Sequence, residues 1–118
     1  MWNVEFTDEF GQWFEGLEES DQDAIAKSIE ILQQIGPSLG RPYADTIKGS
    51  RHSNMKELRS QSSGDPIRTF FAFDPRRAAI LLIGGDKTSD KRFYERMIPL
   101  ADKLYDVHLS ELRKEGFI

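Results

Sequence analysis

The chain has 118 residues, of which 38% are hydrophobic, 11% aromatic and 31% charged: enough apolar material for one core, and too little length for two. It has no cysteine, which excludes a disulfide scaffold, zinc–thiolate sites and a thiol nucleophile. The net charge of −4 is unevenly spread: residues 1–40 carry one lysine against nine acidic side chains, residues 41–92 eleven basic against six acidic. That acidic whole would repel phosphate and excludes a non-specific nucleic-acid coat, but leaves room for a local basic site.

Trp2, Val4 and Phe6 alternate with Asn3 and Glu5, the period-2 pattern of a short strand. Neither a basic leader nor an apolar run long enough for a bilayer is present, so a cytoplasmic protein without a membrane partner is expected. Thr7 can cap a helix opened by Asp8 and Glu9, whose charges suit the positive helix end. Phe10, Trp13, Phe14 and Leu17 then fall on one helical face, read as core. Ser20 is expected to cap a second helix carrying Ile25, Ile29 and Leu32, ended by Gly36-Pro37. The hairpin is read as scaffold, with Glu15, Glu18 and Glu19 facing solvent. Pro37 to Ser53 reads as a long polar connection of the kind that lies near sites.

Asn54 to Ser60 reads as a half-buried strand, Gln61 to Pro66 as a turn cluster, and Ile67 to Phe73 as an aromatic-rich strand. Ala78 to Ile83 is nearly all apolar, the pattern of a central strand, and Gly84-Gly85-Asp86 is expected to end it. Ser89 is expected to cap a last helix through Phe93, Met97, Leu100, Ala101, Leu104 and His108, with a kink or restart at Pro99. His108 falls on the apolar stripe and reads as structural. The order β-α-α-β-β-β-α makes the domain α+β: a small twisted antiparallel sheet with an N-terminal helical hairpin and a C-terminal helix.

Four segments carry a resemblance. Lys56-Glu57-Leu58-Arg59, Ile67-Arg68-Thr69-Phe70-Phe71-Ala72-Phe73, Ile80-Leu81-Leu82-Ile83-Gly84-Gly85-Asp86-Lys87-Thr88 and Phe93-Tyr94 together resemble the RelE/ParE superfamily of bacterial toxins, and within it the HigB-like, phage-derived branch. The resemblance implies a RelE-like fold across one domain, residues 1–118. It implies a type II toxin acting as an endoribonuclease, an mRNA interferase that cuts messages in the ribosomal A site by attack of the RNA's 2′-hydroxyl on the adjacent phosphate. The implied partners are the ribosome, mRNA and a cognate antitoxin, often a helix-turn-helix protein, through which alone operator DNA would be bound. Two readings stand beside it: a ParE-like inhibitor of DNA gyrase, and a non-catalytic phage-derived binding protein.

Such a reaction needs a proton acceptor for the 2′-hydroxyl, cations for the growing negative charge and a donor to the leaving oxygen. It needs no metal or cofactor, and two histidines 56 positions apart form no ligand cluster. Arg68, fixed on a strand beside Phe70 and Ala72, is the leading candidate, because a guanidinium grips phosphate through two bonds. Arg59 and Glu57 share a strand face, Arg59 adding charge and Glu57 a proton acceptor. The best-known relatives carry lysines where Met55 and Glu57 stand, and Lys56, which could replace their charge on RNA, alternates to the other face with Leu58. Lys87 matches the family's basic residue after the last strand, with Lys91 and Arg92 as further RNA contacts. Tyr94 matches an aromatic residue that stacks on a base or positions the nucleophile. His52 precedes the Lys-Glu-Leu-Arg strand where some HigB-like members use a histidine, and its ordinary pKa of about 6.5 suits acid–base work. Sequence leaves the acid and base unassigned among His52, Glu57 and Tyr94.

Overall fold

The first ordered feature of the computed structural model, which describes residues 1–118, is the short strand β1 (Val4–Phe6). The helices α1 (Asp8–Glu15) and α2 (Glu19–Ile35) follow, then a 3-10 turn (Gly36–Ser38). The strands β2 (Ala44–Thr46), β3 (Lys56–Ser62), β4 (Asp65–Phe73) and β5 (Ala79–Asp86) lead to the long helix α3 (Phe93–Lys114). They form one five-stranded sheet in the order β1-β5-β4-β3-β2, antiparallel except that β1 lies parallel to β5. The α+β reading holds, with one strand more than sequence predicts. No helix is long and apolar enough to cross a membrane.

The two sides of the sheet are separate cores. Phe10, Ile25 and Leu32 of the helical hairpin pack on Leu58, Ile67, Phe71 and Leu81. On the other side α3 lays Phe93, Met97, Ala101 and Leu104 over Phe70, Ala72, Ile80 and Leu82. Trp13, Phe14 and Leu17 pack against the first core, as their helical spacing predicts. Phe70 and Phe71 point to opposite sides, and both are fully buried. The side of β4 that carries Arg68 is therefore core under Phe70 and Ala72, and it opens only at Arg68.

Local chemistry explains where the elements begin and end. Thr7 caps α1 as expected, its Oγ1 accepting from Phe10 N at 3.0 Å while its hydroxyl donates to Leu82 O at 2.7 Å. α2 starts earlier than Ser20, after Glu18, whose carbonyl accepts from Asp21 and Gln22 N. Ser89 does not cap α3; the Asp90 carboxylate accepts from Arg92 N at 3.1 Å and the helix begins at Phe93. α3 runs through Pro99 without restarting, and Pro99 lies exposed, where the carbonyl it leaves without a helix bond is open to solvent.

The turn between β3 and β4 is tighter than its composition predicts. Only Ser63 and Gly64 lie outside the ladder, both with positive φ, as a two-residue hairpin of matching twist demands. β5 does not end at its glycines. A Cβ on Gly84 would lie 2.2 Å from the Trp13 ring, and one on Gly85 2.9 Å from the Phe93 ring, so the bare backbone lets both helices close on the strand.

Candidate active site

β3 presents Glu57 and Arg59 toward the α3 side, and β4 presents Arg68 directly opposite Arg59 in the ladder. Tyr94, in the first turn of α3, completes a cluster around the Glu57 carboxylate, whose side chain is only 4% exposed. Glu57 Oε2 accepts from Arg59 Nε at 3.2 Å and Nη2 at 3.1 Å. Glu57 Oε1 accepts from the Tyr94 hydroxyl at 2.7 Å and lies 3.6 Å from Arg68 Nε. Lys87, on the turn after β5, holds its ammonium 5.4 Å from the centre of the Tyr94 ring. Four neighbouring elements thus converge on one buried carboxylate, with cations in excess.

Two features set this cluster apart from a closed ion pair. Arg68 Nε is buried and has no hydrogen-bond partner; the same guanidinium donates only from Nη1, to its own strand's Ile67 O at 3.1 Å. A buried donor without a hydrogen bond is costly until water, an ion or a ligand supplies the acceptor, and the Glu57 carboxylate 3.6 Å away supplies only charge. The second feature is Tyr94: burial, then its hydrogen bond to Glu57, raises the phenol above its ordinary pKa. At neutral pH it is therefore a protonated donor rather than a phenolate base.

Glu57, Arg59, Arg68, Lys87 and Tyr94, predicted from four separate stretches, lie together. Lys91 and Arg92 are exposed on the approach to α3, two or three residues before Tyr94. Two candidates lie elsewhere. Lys56 points to the hairpin side, as strand alternation predicts, and its ammonium donates to Pro37 O at 3.0 Å. His52 packs edge-on against Tyr105, with Nε2 2.7 Å from Asp106 Oδ1. Asp106 is twelve residues beyond Tyr94 on α3, about 18 Å along a helix rising ~1.5 Å per residue. His52 therefore fastens the loop to α3 and is removed from the acid–base candidates.

Asp45 is the site residue that sequence missed. It lies opposite Glu57 on β2, where its Oδ2 accepts from Arg59 Nη2 at 3.3 Å and from Arg41 Nε at 2.8 Å. Those bonds hold its carboxyl below the ordinary value against the opposing cost of burial, the Arg41 bond being the largest effect. The three residues of β2 are too few for a periodic signal, so no pattern could have placed Asp45 beside Arg59.

Residues 12–106 match the family described as phage derived protein Gp49-like (DUF891). The chain is 43% identical over 101 residues to putative toxin HigB2 of Mycobacterium tuberculosis, a match spanning 84% of this chain and 50% of that protein. It is 46% identical over 93 residues to putative toxin HigB3 of the same organism, spanning 78% of this chain and 80% of that one. Among solved structures it is similar to a mutant of the E. coli toxin RelE in the free state, with a TM-score of 0.59 at 10% identity, covering 81% of this chain and 94% of that one. A chain of the RelB-RelE antitoxin-toxin complex from Methanococcus jannaschii is similar at a TM-score of 0.56 and 18% identity, covering 77% of this chain and 99% of that one. At such identities the likeness is one of fold, and the fold is RelE-like.

Proposed function

From the premise that this chain belongs to the Gp49-like, phage-derived family and is a HigB-like member of the RelE superfamily, we propose that it is the toxin of a type II toxin–antitoxin pair and an endoribonuclease that cuts mRNA on the ribosome. The observation that carries the reading is the buried Arg68 Nε, ion-paired with Glu57 at 3.6 Å but without a hydrogen bond, beside a carboxylate already held by Arg59 and Tyr94. A phosphate oxygen is the acceptor that this donor lacks.

The chemistry follows from the donors. When the 2′-hydroxyl attacks the adjacent phosphorus, the phosphorane gains a second negative charge. Arg68 and Arg59, held on paired strands, stabilise that state more than the ground state because their attraction grows with the added charge. Glu57 is the only carboxylate in contact with both Arg59 and Tyr94. As Arg68 and Arg59 turn to the phosphate, an oxygen of Glu57 becomes available to take the 2′-hydroxyl proton. Tyr94, protonated and next to Glu57, orients that hydroxyl, and the Lys87 ammonium, 5.4 Å from the Tyr94 ring centre, gives its proton to the leaving 5′-oxygen. Cleavage leaves a 2′,3′-cyclic phosphate and a 5′-hydroxyl.

The ribosome supplies what an acidic chain lacks: a site where message is held and presented to a small basic patch. That task places the protein in the cytoplasm. The proposed antitoxin is a separate chain, in keeping with the RelB-RelE complex whose fold this chain shares. The test is inducible expression without an antitoxin, followed by mapping of RNA 5′ ends on translated and untranslated copies of the same message. Cuts confined to the translated copy are expected. Intact messages with altered DNA supercoiling would replace this reading with gyrase inhibition.

A further inference from the structure

Arg59 and Arg68 also form the inner wall of a cleft of about 790 Å³ between α2, the end of β3 and the Pro42–Tyr43 turn. Its floor is closed and saturated: the Ser28 and Ser60 hydroxyls lie 2.8 Å apart, and Ser28 Oγ also bonds Arg59 O at 3.2 Å. Its rim is the opposite. Tyr43 is 44% exposed, and the Gln61 amide makes a single long contact, 3.5 Å to Gly64 O. The backbone beneath Tyr43 is clamped on both sides, its N–H donating to Gly40 O at 3.0 Å and its carbonyl accepting from Arg59 N at 2.8 Å. An exposed aromatic residue on fixed backbone, opposite Arg59 in the β2–β3 register, is poor use of apolar surface for stability. It is a good platform for a flat ligand.

A second cleft, of about 480 Å³, adjoins the other side of the cluster and shares Tyr94 with it. Its wall on α3 is Ile98 and Pro99, and its Asp102 carboxylate is already taken by Ser50 Oγ and Arg51 N. That side offers Ile98 and Pro99 as surface and no amide; its free polar group is the exposed Glu95 carboxylate, which has no paired donor and acceptor to read a base edge. Both arginines line the first cleft, and the second meets the cluster through Tyr94, so each gives one neighbouring nucleotide a surface to lie on.

Resting on the nuclease reading above, we infer that the Tyr43–Gln61 cleft holds the nucleotide on one side of the scissile phosphate and selects its base, whereas the Ile98–Pro99 side accepts any base. The base stacks on Tyr43, an interaction open to every base. Its edge then meets the Gln61 amide, which presents a donor and an acceptor together and so favours the base whose edge offers the complementary pair. Asp23 and Lys27 of α2 line the same cleft and bound its outer side. Part of the hairpin is thereby placed on the RNA path, whereas Glu15, Glu18 and Glu19 are exposed outside the cleft.

The experiment is sequencing of cleavage ends from ribosomes translating a codon-randomised message, with the whole protein and its variants. The wild type is expected to show base preference at one position beside the cut and little at the other. Gln61→Leu should flatten that preference by roughly 10-fold at that position alone. Gln61→Glu, an acceptor only, should move the preference toward bases that offer an amino donor. Tyr43→Ala should raise the half-saturating ribosome concentration by about 10-fold with the single-turnover rate at saturation retained. Tyr43→Phe, which keeps the π-face, should behave as wild type and serves as the folded control. A wild type that cuts message, with Gln61 and Tyr43 variants that keep its base preference and affinity, overturns this inference and leaves the nuclease intact. A wild type that cuts nothing overturns both.

Discussion

Two buried carboxylates lie near opposite ends of α3, and both are ringed by cations. Asp74, in the turn after β4, has a side chain of 0% exposure; Glu57, on β3, one of 4%. Around Asp74 every partner is committed. Oδ1 accepts from Arg76 N and Ala78 N, and Oδ2 from Arg76 Nε and Nη2, with His108 Nε2 at 2.9 Å. The same Arg76 reaches back to Glu5 on β1 at 2.9 Å, so the cluster fastens α3, the β4–β5 turn and the edge strand together. Around Glu57 the account is left open: Arg68 Nε lacks an acceptor, and Lys87 lies over a ring rather than on a carboxylate. Saturation marks a structural cluster, whereas a buried donor without a hydrogen bond needs an explanation, and for Arg68 the one proposed above is a ligand. Composition alone does not separate the two.

The sharpest way to break this comparison is to empty each cluster in turn. Asp74→Ala strips the acceptor from Arg76, His108 and two backbone N–H groups, and removing one partner of a buried pair costs about 3–5 kcal/mol. For a domain of this size that is a fall in Tm of about 10–20 °C. Differential scanning calorimetry should find it, while the protein that stays folded keeps its cleavage rate.

Arg68→Ala should do the reverse. The rate on programmed ribosomes is expected to fall about 10²–10³-fold, or roughly 3–4 kcal/mol in transition-state stabilisation. The melt should move little, because Ile67, Phe70 and Phe71 still hold β4 in both cores. Arg68→Lys should recover little, since one ammonium does not reproduce a two-pronged grip. Full activity in Arg68→Ala would show that the unpaired donor is an accident of packing.

Tyr94→Phe tests the donor without the ring. The T-shaped contacts of Tyr94 with Phe70 and Phe93 remain, so only the bond to Glu57 is lost. A drop of about 10²-fold in single-turnover rate is expected, the lower end of acid–base contributions.

Acid titration sharpens the contrast further. Burial alone would raise the Asp74 carboxyl, but hydrogen bonds from His108, Arg76 and Ala78 N outweigh it and hold it below its ordinary 3.8. A depressed carboxyl stabilises the fold fully above its unfolded pKa and loses that contribution as pH falls through the folded one. The stability gap between wild type and Asp74→Asn should therefore be flat above about pH 5 and close below 3.8. Chemical denaturation across that range would reveal it. The smallest effect expected is none: Glu18→Gln with Glu19→Gln, both on exposed side chains of the hairpin, should leave the cut sites unchanged by end mapping.

Much of the scaffold was legible because it rests on short-range periodicity. The Phe10–Trp13–Phe14–Leu17 face, the Thr7 cap and the apolar run of β5 each carry their signal within a few residues. The misreadings have local causes too. Gly84 and Gly85 look like a strand end because nothing in the sequence says that Trp13 and Phe93 will lie on their Cα atoms. β2 is too short for a pattern, and its residues are ordered only by pairing with β3.

At the site, sequence alone determined which side chains are available and which share a strand face: Glu57 with Arg59, Arg68 with Phe70, and Lys56 turned away. Alternation is a property of extended backbone and needs no knowledge of neighbours. The tertiary structure decided everything that depends on register between strands far apart in the chain. It set Arg59 opposite Arg68, brought Tyr94 onto Glu57 across 37 residues, and recruited Asp45. It also removed His52 to Asp106 and left Arg68 Nε without an acceptor. Hydrogen bonds act over about 3 Å, and only the packed sheet and helix bring groups from separate segments within that reach.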